Sequence, residues 1–415
     1  MYIDRLIILC LAPREDFPEI IDRGVVYLDS AASTLKPRQV IEAMARFAMY
    51  SYSNVHRGVY GLSIEASKAY EDSHEDVARF IGGRWDEIIF ARNTSEAIQL
   101  AALTLMFNGY IQKGDEIIVT QADHHSLIIP LARIARFVGA RLRIIPITAE
   151  GLPAWDLLPS MISKRTRIVA FSHKSNVTGY TSDVKQIAKI AHEHNAIVIV
   201  DGAQSVPHMK IDVKNLGADF IAFSGHKMLG PTGIGVLWGR IDLLERLEPP
   251  LGGGGTVRRV KLVGEDLDII WEEPPWKFEA GTPPIIEAVG LSEAVRYLER
   301  IGIDRIYEHE RILTRIALRS LGELGDRVKV VGPMDPDKRV GIVTFTIKGS
   351  SPEAIGMWLD KRRIAVRTGL HCAHALHDGL GYSDGSVRAS FYLYNCENDI
   401  EALIKAIDDY IKTSG

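Results

Sequence analysis

From about Val25 to Ala222, short apolar runs alternate with stretches whose apolar residues recur at helical spacing. That alternation predicts βαβ units around a mainly parallel sheet covered on both faces, so the fold class is α/β. The predicted buried strands are EIIF ending at Phe90, EIIVT ending at Thr120, RLRIIPI ending at Ile147, RIVAFS ending at Ser172 and AIVIVD ending at Asp201. Between the last two, Val184, Ile187, Ala188 and Ala191 share one face of a helix that Asp183 is placed to cap. GVLWGR, ending at Arg240, predicts a further strand, after which LGGGG from Leu251 and the proline pairs at Pro249 and Pro274 predict a loop-rich excursion. A helix from about Ile285 to Glu299 leads into a second lobe, where RVGIVTFTI reads as a strand and PEAIGMWLDKRRI as a helix.

A chain of 415 residues exceeds the size at which a single core stops growing, about 250–300 residues, so two domains are expected. The divisions are an N-terminal segment to residue 28 packing with the small domain, a large domain over 29–290 and a smaller α+β domain over 291–415. Lys and Arg number 49 against 53 Asp and Glu, and no basic block suggests nucleic acid or a membrane surface. The three cysteines, Cys10, Cys372 and Cys396, form neither a disulfide framework nor a C-x-x-C pair, which points to a reducing cytoplasm. MYIDRLIILCLAP at the start is too short and too interrupted, by Asp4 and Arg5, to span a membrane, and it lacks the basic region of a signal peptide. It reads as an extension or an early start codon.

Ligands of open parallel sheets bind at the carboxyl ends of strands, so polar residues that end apolar runs carry the most information. Asp201 ends one such run ahead of a glycine; a helix cap or loop carboxylate is its ordinary alternative. ADFIAFSGHK places Ser224, His226 and Lys227 after another, with Gly225, Gly230 and Gly233 nearby. Burial there lowers a lysine's pKa, as an imine-forming lysine requires, while a surface lysine in a glycine-rich turn is the plain alternative. Together a lysine and a carboxylate suit pyridoxal phosphate, whose ring nitrogen stays protonated beside an anion. Thr94 and Ser95 open a helix whose N-terminus attracts a phosphate, unless one of them is simply its cap.

His124 and His125 follow the strand ending at Thr120, where one imidazole can lie over a planar ring; adjacent histidines point apart, and no metal shell completes them. Asn176 sits just past a strand end, where turn formers also occur. Cys372 lies in RTGLHCAHALHDGLG, with Arg367, His371 and His374 near enough in sequence to lower a thiol pKa. His371, His374 and His377 with Cys372 make a poor metal set unless a partner adds ligands. Cys396, beside a helix start near Glu397, reads as structural. Arg388 enters a strand as a bidentate clamp for a substrate carboxylate, or as a surface arginine.

In order and spacing, YLDSAAST from Tyr27, NVHRG from Asn54, His124–His125, Ser175–Asn176, VDGAQ from Val200, FSGHK to Lys227, FEAGTP from Phe278 and RTGLHCA to Ala373 resemble the SufS-type, or group II, cysteine desulfurases. The resemblance spans nearly the whole chain. It implies fold type I of the pyridoxal 5′-phosphate enzymes, a homodimer, and conversion of L-cysteine to L-alanine with sulfur passed to Cys372 as a persulfide. It further implies Lys227 as the Schiff-base lysine, Asp201 on the ring nitrogen, Gln204 on the ring 3′-oxygen and His124 stacked on the ring. Thr94, Ser95, Ser224 and His226 would hold the phosphate, with Thr282 reaching over from the partner subunit, and Asn176 and Arg388 would bind the substrate carboxylate. A sulfur-acceptor protein of iron-sulfur cluster assembly would collect the persulfide. Leu370 stands where the family commonly has histidine, Asn93 where glycine is usual, and the cysteine loop reads CAHALHDGLG; Leu370 bears on which acceptor docks. A selenocysteine lyase or cysteine sulfinate desulfinase shares these residues, a class V aminotransferase would leave Cys372 incidental, and a non-catalytic scaffold would be expected to have lost Lys227, Asp201 or Arg388.

Overall fold

The computed structural model describes residues 10–413. Its main sheet has seven strands: β1 (Ile88–Ala91), β2 (Glu116–Thr120), β3 (Arg141–Ile145), β4 (Thr166–Ser172), β5 (Ile197–Asp201), β6 (Phe220–Ser224) and β7 (Gly235–Gly239). They lie in the order β1-β7-β6-β5-β4-β2-β3, and only β7 runs antiparallel to its neighbours. Five of the six strands predicted for this sheet end within one residue of expectation. The third, β3, stops at Ile145, because Pro146 lacks the N–H that a ladder needs.

The period-2 pattern of these strands divides their side chains between two cores. In β2, Ile118 packs on one face while Ile117 and Val119 pack on the other; in β4, Val169 and Phe171 oppose Ile168 and Ala170. A fully buried Ile or Val contributes about 1.5–3 kcal/mol, so both faces demand cover. Helix α1 (Thr94–Phe107) and α2 (His125–Val138) cover one face through Ile98, Ala101, Leu127 and Leu131. On the other lie α3 (Val184–Glu193), capped by Asp183 accepting from Gln186 N at 3.0 Å, and α4 (Ile285–Ile301).

Beyond α4, a four-stranded antiparallel sheet, β8 (Val328–Val331), β9 (Ile342–Ile347), β10 (Arg367–Gly369) and β11 (Ser386–Ser390), runs in the order β8-β9-β11-β10. Val343, Phe345, Val387 and Ala389 form a separate core with Leu313, Leu403 and Ile407. Leu28 belongs to that core, and Val26–Tyr27 pairs in parallel with Ile364–Ala365.

Two expectations are corrected. The stretch after Leu251 contains a hairpin, Val257–Val263 with Asp266–Trp271, as well as loop. Its exposed Val260, Leu262, Leu267 and Ile270 lack the one-sided burial that normally marks a strand. Three scattered cysteines predict no disulfide framework, yet Cys10 and Cys396 are joined, 386 residues apart. The pairing follows from the segment lying against the last helix's start, where Ala12 N donates to Leu393 O and Arg14 reaches Asp399. Residues 1–9, most of the suspected extension, lie outside the described residues. Among those described, no helix is long and apolar enough to cross a membrane.

Candidate active site

Strand register brings the chemistry together. Ser172 lies opposite Asp201, and Asp201 opposite Ala222, so β4, β5 and β6 deliver their carboxyl ends to one level. A cavity of about 500 Å³ opens there, lined by Thr94, Ser95, His124, Asn176, Asp201, Gln204, Ser224, His226, Lys227, Cys372 and Arg388. Every predicted site residue except Thr282 is present. Thr282 lines a separate cavity with Arg92, Glu96 and Gly233.

Lys227 ends a short turn, Gly225–Lys227, directly after β6, where burial lowers its ammonium pKa and Asp201 opposes the shift. Burial likewise raises the Asp201 carboxyl, offset by Lys227 and by Ala203 N donating to Oδ1 at 2.9 Å. Each is thus the other's main counter-charge. Gln204 Nε2 donates to Ala31 O at 2.6 Å, leaving its buried Oε1 without a partner.

Hydroxyls gather at the start of α1. Thr94 Oγ1 and Ser224 Oγ are 2.6 Å apart, as are Ser95 Oγ and Ser126 Oγ. Neither Thr94 nor Ser95 is the cap: Asn93 Oδ1 accepts from Glu96 N at 3.0 Å, which leaves both hydroxyls out of the capping bond. His124 caps α2, its Nδ1 accepting from Ser126 N at 3.1 Å. The ring is held neutral, with its pKa near 3, by burial and by Lys227, so its one proton sits on Nε2.

Arg388 is buried on β11. Nη1 donates to Asn176 O at 3.0 Å, Nη2 faces Asp29 Oδ1 at 3.4 Å, and Nε has no partner. Burial pulls its pKa down to about 10, which still leaves it charged at neutral pH. Cys372 is the free, exposed thiol in the loop between β10 and the helix His374–Leu380. Its carbonyl accepts from His125 N at 2.9 Å, and Asn176 Nδ2 donates to His371 O at 2.8 Å, so the start of α2 and the segment after β4 clasp the loop.

Of the expected cationic neighbours of this thiol, Arg367 stays charged, bonded to Asp29 at 2.7 Å while sharing the cavity and interacting with Cys372, as Arg388 does. His374 bonds His125 at 3.0 Å, and burial keeps His371 neutral. No group of three or more His, Cys, Asp or Glu side chains is disposed for a metal among the described residues. Sequence reasoning assigned no role to Asp29, Ser126 or Lys174. Ser126 follows the His124–His125 pair and Lys174 precedes Ser175–Asn176, so a strand-end scan two residues wider includes both.

The class V aminotransferase model matches residues 26–403. The chain belongs to the class V aminotransferase family. A "Probable cysteine desulfurase" of Aeropyrum pernix is 57% identical over 97% of this chain and 98% of its own. The cysteine desulfurase of Haloferax volcanii is 41% identical over 92% and 89%. Among solved structures, the apo cysteine desulfurase of Thermococcus onnurineus superposes with TM-score 0.91 at 40% identity, covering 100% of this chain and 99% of that one. The cysteine desulfurase CsdA of Escherichia coli gives 0.87 at 37%, covering 96% and 98%. These relatives support an enzyme of the cysteine desulfurase kind on the fold of the pyridoxal phosphate enzymes, as the resemblance implied.

Proposed function

We propose that this family member uses pyridoxal 5′-phosphate to move sulfur from L-cysteine to Cys372, leaving L-alanine. The observation that carries the reading is one cavity holding Lys227, Asp201, Arg388 and the free thiol of Cys372. The residues fit the cofactor: a lysine faces a carboxylate, and a hydroxyl cluster stands at a helix N-terminus. When bound, the cofactor supplies an electron sink for the substrate Cα.

Asp201 would hold the ring nitrogen, Gln204 would bind the ring oxygen, and Thr94, Ser95, Ser224 and His226 would receive the phosphate. Arg388, with Asn176, orients the substrate carboxylate. Lys227 Nζ, whose lowered pKa enlarges its neutral fraction, takes the Cα proton. His124, neutral with its proton on Nε2, would stack on the ring. The Cys372 thiolate attacks the substrate sulfur; an S–S bond forms, the C–S bond breaks, and its electron pair stays with carbon until protonation gives alanine.

The group II subclass, a homodimer and a sulfur acceptor in iron-sulfur cluster assembly complete the reading. The dimer is supported by Thr282, which lies outside its own chain's cavity, and by exposed Met49, Tyr50 and Ile64 on the helices Arg38–Tyr50 and Gly61–Ile81, with exposed Val59 in the loop between them. The exposure of Cys372 suits delivery to a protein. We assign the enzyme to the cytoplasm, where an unpaired catalytic thiol persists. The proposed division is an N-terminal segment to residue 28, a large domain over 29–290 and a small domain over 291–415. The reading is tested by alanine and sulfide release from L-cysteine with reductant: both are expected from wild type and neither from a Cys372→Ala protein that keeps its yellow cofactor band. Undiminished release by that variant would sink it.

A further inference from the structure

The loop that carries the nucleophile contains a second arrangement. His371 and Cys372 have φ of +49° and +53°, a region costly for two consecutive non-glycine residues, so the surroundings must hold them there. His371 Nε2 lies 3.1 Å from Ser386 Oγ, and the same hydroxyl lies 2.9 Å from His377 Nε2. His377 Nδ1 lies 3.0 Å from Ala373 O.

These contacts fix every proton in the chain of groups. A carbonyl only accepts, so the proton of His377 is on Nδ1. Burial keeps that ring neutral, and its Nε2 is then a lone pair that takes the single proton of Ser386. With its proton committed, Ser386 accepts from His371, whose proton is therefore on Nε2. Burial and the charge of Arg388 deny His371 a second proton. Its Nδ1 is left as a fixed lone pair, buried and without a partner, on a side chain that lines the cavity with Cys372 and Arg388.

We propose that His371 determines specificity, its Nδ1 accepting a hydrogen bond from the proton on the substrate's sulfur and so favouring a thiol over a sulfinate. This rests on the desulfurase reading of the cavity. A cysteine thiol brings an S–H donor to the lone pair. A sulfinate brings two oxygens that only accept, and meets a nitrogen that cannot turn donor while Ser386 and His377 hold its tautomer. Ser386 and His377 are positioning residues acting through His371.

Alanine release compares the two substrates, since C–S cleavage leaves alanine from L-cysteine and from L-cysteine sulfinate, the latter losing sulfur dioxide. In holoenzyme Ser386→Ala, the ratio of kcat/KM for cysteine to that for sulfinate is expected to fall about tenfold, the worth of one buried hydrogen-bonding mismatch, with the sulfinate value rising. His377→Phe serves as the second variant, with the same expectation. Selective ¹⁵N-histidine labelling of the wild-type holoenzyme is expected to give a pyridine-type Nδ1 and a pyrrole-type Nε2 for His371. A protonated Nδ1, or an unchanged substrate ratio in a folded variant, overturns the proposal. Absence of alanine from wild type with cysteine instead refutes the desulfurase reading, while the tautomer measurement still decides the state of His371.

Discussion

Asp29 Oδ1 lies 3.4 Å from Arg388 Nη2, and Asp29 also takes Arg367 at 2.7 Å, so one carboxylate anchors two arginines that line the cavity. With Asn176 O on Nη1, it fixes the plane in which Arg388 meets a carboxylate. Arg388→Lys keeps a charge but loses the planar fork, and is expected to raise KM for L-cysteine about 100-fold with a smaller effect on kcat. Asp29→Ala, which removes only the anchor, should raise KM by roughly 3- to 10-fold. Steady-state kinetics on both variants checks the order; a larger effect at Asp29 would contradict it.

His173 is buried beside Lys174, and burial, helped by that lysine, lowers its pKa to about 4. The unfolded chain takes up this proton near pH 6.5 and the folded chain only near 4, so the unfolded state binds more protons between them. Stability is therefore expected to fall as pH drops through that window, by up to about 3 kcal/mol from this residue. His173→Gln should flatten the dependence. Urea midpoints from pH 7 to 4 test it, and parallel curves for the two proteins would contradict the assignment.

Gly235 packs against the turn that starts α1. A Cβ added there would lie 2.5 Å from Asn93 Cα and 2.6 Å from its carbonyl carbon, backbone atoms that cannot rotate away. Gly235→Ala is expected to cost about 1–3 kcal/mol and to loosen cofactor retention, because Thr94 and Ser95 move with the turn. Thermal unfolding together with the cofactor band after dialysis measures both.

Much of this site is legible in the sequence because parallel strands end where ligands bind. Asp201 and Lys227 each terminate or directly follow an apolar run, and β5 and β6 are neighbours, so proximity along the sheet follows from the pattern. Arg388 and Asp29 are 359 positions apart, and their contact depends on the N-terminal segment pairing beside β11, where Asp29 bridges Ser390. No local periodicity reports that. The same holds for Cys10 and Cys396, and for the Ser386 hydroxyl that joins His371 to His377 across two turns. The hairpin at Val257–Trp271 is exposed on both faces along much of its length, so its alternation carries little signal.

Among the described residues Cys372 is the one cysteine outside the Cys10–Cys396 pair, which makes its sulfur load directly measurable. The decisive measurement is mass spectrometry of the Cys372 peptide from holoenzyme incubated with L-cysteine in the absence of reductant. One added sulfur atom is expected on Cys372 in the wild type and none in Lys227→Ala. An unmodified Cys372 alongside continued alanine release would contradict the account.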